Sequence, residues 1–181
     1  MTDHGFALFE TAVGLCGVAW GRDGILGVQL PEGDATRTRA RLRRRFPDAR
    51  EAEPPDSVRA AIAAIQALLA GEPRDLSEVA LDWTGVGAFE RRVYEVARAI
   101  PPGATLTYGE VAARIGETAL AARDVGQALG RNPFPIVVPC HRVVAAGGKS
   151  GGFSARGGAA TKLKLLRIEG AEPAGPPTLF D

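Results

Sequence analysis

Sulfur and imidazole are scarce in this chain: two cysteines, two histidines and one methionine among 181 residues. Cys16 and Cys140 stand 124 positions apart. That spacing argues against a disulfide framework. Two cysteines with His4 and His141 are also a poor inventory for structural zinc, which needs four ligands in paired spacings. Long hydrophobic runs are missing as well. The longest, such as Pro135 to Cys140, are strand-sized and too short to span a bilayer. Met1-Thr2-Asp3-His4 has neither a basic segment nor an apolar one. No secretory leader is expected, so the default is a reducing, intracellular compartment: cytoplasmic, nucleoid-associated in a prokaryote, nuclear in a eukaryote. No Gly-rich nucleotide fingerprint precedes a helix, so no cofactor is expected.

What is present is an ordinary globular composition, 45% hydrophobic and 24% charged. The length suits one core or two small domains. The net charge of +1 hides an asymmetry. Residues 1–90 hold 10 Lys or Arg against 14 acids, whereas residues 91–170 hold 12 against 5. A basic half on a near-neutral chain suggests a local polyanion-binding face, and a solvated basic surface is the bland alternative.

The first half alternates strand and helix signals. Residues 6–20 read as strand, Gly21-Arg22-Asp23-Gly24 as a turn, and 25–30 as its hairpin partner. Residues 36–46 are helical and arginine-dense. Asp56 or Ser57 is placed to cap a helix over 58–70. Val79–Trp83 reads as a short strand. The second half is more helical. Residues 87–100 carry apolar side chains at helical spacing. Thr107-Tyr108-Gly109-Glu110 is a capping-box pattern, with Glu three after Thr. A helix through Ile115, a turn and a helix over 119–129 outline a helix-turn-helix. Residues 145–158 form a glycine-rich loop, 159–168 a basic helix, and 171–181 an irregular tail.

The chemistry concentrates at Cys140. A lone buried cysteine is usually only a small hydrophobe. Here Pro139 fixes the backbone before it, and His141 and Arg142 follow it. Such neighbours are expected to lower a thiol pKa and favour the nucleophilic thiolate. Cys16 lies in an apolar stretch and is expected to be structural.

Pro139-Cys140-His141-Arg142-Val143-Val144 resembles the active-site motif of the O6-alkylguanine-DNA alkyltransferases, also called methylated-DNA–protein-cysteine methyltransferases. Residues 107–112, 121–126, 132–133 and 162–170 resemble further blocks of that family, in the same order. The resemblance covers about residues 86–170, and residues 1–85 match only in outline. It implies an α/β (α+β) chain in three parts. Residues 1–85 form a strand-rich, ribonuclease-H-like domain. Residues 86–170 form a helical, winged-helix-like domain that carries the helix-turn-helix, binds DNA and accepts the alkyl group. Residues 171–181 form the tail.

The resemblance also implies roles. Cys140 attacks the alkyl carbon on guanine O6. His141 takes the thiol proton through a water, and Glu169 orients His141. Asn132 organises the hinge before the active site. Tyr108 helps rotate the nucleotide and protonates the purine. Arg123 fills the gap left in the base stack. Ala121, Ala122 and Gly126 allow close approach to the minor groove. Arg131, Val143, Phe153 and Ser154 join the DNA- and substrate-binding set. The implied partner is double-stranded DNA containing O6-alkylguanine or O4-alkylthymine, met by a monomer that turns over once.

The residue types suit this chemistry on their own. Displacement at an O-alkyl carbon needs a soft nucleophile and a leaving oxygen made less basic by protonation. A base inside a duplex must also be extruded before it can react.

Each residue has a plainer reading too. Tyr108 could pack on its turn, Arg123 could pair with Glu117, and the small residues could form a helix–helix contact. The rim loop departs from the family. Phe153 stands where Tyr is common, and the loop is two residues longer before Lys162, which leaves the tolerated alkyl size open. Three other functions compete: a lesion-binding module without transfer, a Cys-His hydrolase, and a helix-turn-helix regulator.

Overall fold

The computed structural model describes residues 3–149 and 151–171. The chain divides into two compact units. The first holds residues up to Gly85 together with Pro133–Val137. Its sheet contains β1 (Gly5–Thr11), β2 (Gly14–Gly21), β3 (Gly24–Gln29) and the two-residue β4 (Arg50–Glu51), in the order β3-β2-β1-β4. All pairings are antiparallel except β1 with β4. Residues 6–20 are therefore two strands and not one. The chain reverses after Thr11, whose hydroxyl accepts from Val13 N (3.1 Å) and donates to Gly14 O (2.7 Å). Gly14 takes φ 118°, which a side chain would resist.

β2 is buried at every position from Cys16 to Trp20. Consecutive burial means that both faces of the sheet are covered. On one face α1 (Ala35–Arg45) lays Leu42 against Phe6 and Ala19. Asp34 starts that helix by accepting from Arg37 N at 2.8 Å. α2 (Asp56–Leu69) packs against β1. Its N-cap is Pro55, without a side-chain bond, and Asp56 sits in the first turn instead of capping it. There its charge still favours the helix dipole. The expected strand at 79–83 reduces to a single bridge between Leu81 and Ile25.

The second unit holds Val86–Asn132 and the chain from Val138 onward. α3 (Ala88–Arg98), α4 (Tyr108–Arg114) and α5 (Ala122–Gly130) pack on one another. A 3-10 turn, Ala119–Ala121, leads into α5. Tyr94 of α3 donates its hydroxyl to Ala128 O (2.6 Å), tying α3 to α5. β5 (Leu106–Thr107) and β6 (Val143–Val144) pair in parallel, and α6 (Ala159–Ile168) follows the glycine-rich loop. The capping box forms. Thr107 Oγ1 accepts from Glu110 N (3.1 Å), and Glu110 Oε1 accepts from Thr107 N (3.2 Å).

Residues 136–138 do not extend into a strand. Ile136 has φ 75°, a left-handed conformation that strains a β-branched residue. In the first unit, Pro133 O accepts from Val28 N (2.9 Å) and from Arg45 (3.1 Å). Phe134 meets the Trp83 ring edge-on at 5.6 Å. The expected tail lies outside the described residues beyond Ala171. No helix among the described residues is long and apolar enough to cross a membrane.

Candidate active site around Cys140

Cys140 opens a 3-10 turn, Cys140–Arg142, placed between Pro139 and β6. It is 7% exposed and forms one wall of a cavity of about 530 Å3. Tyr108 comes from α4, Ala122, Arg123, Gly126 and Gln127 from α5, and Gly152, Phe153 and Ser154 from the rim loop. Burial pushes the Cys140 thiol up. The Asn132 side chain, the Lys162 ammonium and the N–H groups of Cys140 and His141 pull the other way without overcoming it. At rest the sulfur therefore keeps its proton, and a base must take it.

His141 is buried and points Nε2 at Glu169 Oε1 (2.8 Å). Arg142 donates Nε to Glu169 Oε2 (2.9 Å), Nη2 to Oε1 (2.8 Å) and Nη1 to Ile100 O (2.6 Å). Burial alone would raise the Glu169 pKa, but bonds from His141 and Arg142 hold it down at about 2. Burial also pushes His141 below its ordinary value, and the opposing bond to Glu169 does not reverse this. A carboxylate can only accept, so the neutral imidazole carries its proton on Nε2. Nδ1 is then an acceptor. It is buried with no hydrogen-bond partner among the described residues. A thiol, an imidazole and a carboxylate are the groups from which a nucleophile, base and orienter can be built.

Asn132 Nδ2 donates to Val138 O (2.9 Å), holding the backbone two residues before Cys140. Lys162, 1% exposed, donates Nζ to Tyr108 Oη (3.1 Å) and to Gly152 O (3.2 Å). Burial lowers its pKa to about 8, and the nearby Cys140 offsets part of that. Tyr108 is raised, first by burial and then by Cys140, so its hydroxyl keeps a proton to give. A Cβ on Gly151, whose φ is 77°, would meet Tyr108 Oη at 2.5 Å. The rim loop can lie against the phenol only because that position is glycine.

Residues 88–171 match the family model described as the DNA-binding domain of 6-O-methylguanine DNA methyltransferase. The methylated-DNA–protein-cysteine methyltransferase of Methanothermobacter thermautotrophicus is 38% identical over 159 residues, covering 88% of this chain and 81% of that protein. The chain belongs to the methylated-DNA–protein-cysteine methyltransferase family. A crystal structure of the Mycobacterium tuberculosis O6-methylguanine methyltransferase, 32% identical, superposes with a TM-score of 0.73 over 98% of this chain and 99% of its own. The Mycobacterium tuberculosis OGT in complex with DNA, also 32% identical, gives 0.73 over 93% and 94%. A Thermus thermophilus DNA base-flipping protein is 44% identical over 108 residues, 60% of this chain and 70% of that one. The mixed α/β fold matches these methyltransferase structures.

Within this methyltransferase-family chain, Cys140, Tyr108, Ala122, Arg123, Gly126, Phe153 and Ser154 share the cavity wall. His141, Glu169 and Asn132 sit behind it. Arg131 lies apart and pairs with Glu90 (2.9 Å). Val143 is buried in β6 and does not line the cavity. Ala121 is half-buried at the end of the 3-10 turn. Glu117 pairs with Arg92 (4.0 Å) and not with Arg123, which faces the cavity. Arg142 was expected to act on the thiol, but its guanidinium is spent on Glu169 and Ile100. The cation acting on Cys140 is Lys162, which the sequence reading passed over. Its signal was available: Leu165 and Leu166 follow at three and four residues, so Lys162 shares the buried face of α6. Cys16 is buried beneath Thr11, and burial pushes its thiol up to about 11, as an inert structural cysteine requires.

Proposed function

We propose that this chain repairs alkylated DNA by moving the alkyl group from guanine O6, and from thymine O4 where that base fits the cavity, onto Cys140. The observation that carries this is a buried cysteine on the wall of a cavity lined by α4, α5 and the rim loop, backed by a neutral histidine whose Nδ1 is a buried acceptor. The thiol proton passes through a water to His141 Nδ1. Sγ attacks the alkyl carbon, the carbon–O6 bond breaks, and its electron pair moves onto the purine. Tyr108 delivers a proton to the ring, and the proton held by His141 is later released while the phenolate regains one, so S–H and C–O are exchanged for S–C and N–H. Glu169 then steadies the imidazolium. The product thioether blocks the nucleophile, so each molecule acts once.

The lesion must leave the stack to reach Sγ. Similarity to a protein named for base flipping supports this step. Small Ala121, Ala122 and Gly126 let α5 approach the minor groove, Arg123 fills the vacated stack, and Phe153 and Ser154 receive the base. Arg131 and Val143 act indirectly, at the end of α5 and beneath the site. On this reading residues 1–85 form a ribonuclease-H-like domain, and 86–170 a winged-helix-like, DNA-binding and alkyl-acceptor domain. The partner is double-stranded DNA, met by a monomer. A lesion-binding function without transfer would not need the relay behind Cys140. The test is intact-protein mass after mixing with an O6-methylguanine duplex. The mass should rise by one methyl per chain, on the Cys140 peptide. Equal labelling of Cys140→Ala would overturn the proposal.

A further inference from the structure

We propose that Leu120 is an apolar wedge that enters the duplex beside the opened base, working next to Arg123. The inference rests on the repair reading above. Leu120 is 91% exposed, and it is the large hydrophobic side chain left in water among the described residues. A single exposed leucine is common and by itself means little. Its position supplies the argument.

Leu120 sits in the 3-10 turn that runs directly into α5, the helix lining the Cys140 cavity. Residues three apart in such a turn or helix are neighbours on one face, which sets Leu120 beside Arg123. Ala119, Ala121 and Ala122 surround it with methyl groups. Leu120 and Arg123 therefore project furthest along this stretch, one apolar and one cationic.

The Leu120 side chain offers a phosphate neither charge nor hydrogen bond. Glu117 and Asp124 flank it, and the cation near Glu117 is already paired with it. An apolar side chain suits the sugar edges and exposed base faces of the groove, not the backbone. Proteins that open the minor groove insert leucine or similar wedges between base steps, and unstack them by doing so. An arginine filling the vacancy and a leucine prying the neighbouring step are complementary parts of one extrusion device.

The test compares two substrates by single-turnover transfer: a duplex carrying O6-methylguanine, and a free O6-alkylguanine base that needs no extrusion. Leu120 is on the surface, so Leu120→Ala and Leu120→Ser should fold normally. Both are expected to slow transfer from the duplex about tenfold, the scale of losing one leucine contact. Neither should change transfer from the free base, and Leu120→Met should restore most of the duplex rate. The salt dependence of duplex binding should be unchanged, because no phosphate contact is lost. A duplex rate within about twofold of wild type in Leu120→Ala overturns the wedge, as does an equal loss on both substrates. If wild type itself fails to transfer from the duplex, the repair reading falls instead.

Discussion

Arg142 grips Glu169 through two nitrogens, Nε on Oε2 at 2.9 Å and Nη2 on Oε1 at 2.8 Å. The same carboxylate holds the His141 ring. Arginine thereby fixes the charge of the group that orients the base. Removing the charge leaves a buried guanidinium unpaired, which costs about 3–5 kcal/mol. Glu169→Gln should therefore lower stability by that order at pH 7. The sign of the pH effect follows from the depressed pKa. The contribution is complete above the ordinary value of 4.5 and is lost as pH falls toward about 2. Urea denaturation of both proteins between pH 7 and pH 3 should show their difference shrinking in that window, and a constant difference would contradict the assignment.

A second expectation concerns the acid limb of the reaction. His141 must be neutral to take the thiol proton, and its pKa lies below the ordinary 6.5. Transfer should hold its rate as pH falls to 6.5 and decline only below it. Stopped-flow transfer across pH 5 to 8 measures this. A midpoint above 6.5 would mean that the imidazole is not shielded as the structure shows.

Lys162 should matter to the chemistry and not to DNA binding. An opposite charge near a thiolate lowers its pKa by roughly one unit or more, worth about tenfold in thiolate per unit. Lys162→Met is expected to slow transfer from both duplex and free base at least about tenfold, with duplex affinity unchanged. Fluorescence anisotropy alongside the rate assay separates the two effects. Weakened binding with an intact rate on the free base would place Lys162 on the DNA and not on the sulfur.

The capping box has a simpler consequence. Thr107→Ala removes the acceptor for Glu110 N and should cost about 1 kcal/mol. That corresponds to a fall of about 2–4 °C in Tm for a chain of this size. Tyr108 is the first residue of the capped helix, so the transfer rate should fall with the loss. An unchanged Tm would show that the cap contributes nothing.

Local patterns were legible in the sequence, and long-range ones were not. Thr107 and Glu110 are three residues apart, and their bonds form as the spacing required. Cys140 and His141 stood out by their sequence neighbours, the distant Glu169 only through a resemblance, and the structure brings His141 and Glu169 within hydrogen-bond distance. Arg142 was expected to act on the sulfur and Lys162 was given no role, because which cation faces Cys140 depends on how α6 and the 3-10 turn pack. Apolar content suggested a short strand at 79–83, and residues 136–138 form an apolar run of strand size. Backbone pairing was available for only one residue of the first, and the left-handed Ile136 breaks the second.

Phe134, fully buried and set against Trp83, bears on how the chain could be cut. It lies six residues before the nucleophile yet is packed among residues of the amino-terminal half. A fragment beginning at residue 86 would carry the whole reactive constellation and still expose that ring to water. Residues 133–137 belong to the first unit, so a cut after residue 85 would part Phe134 from Trp83 while Cys140, His141 and Glu169 stayed on one fragment.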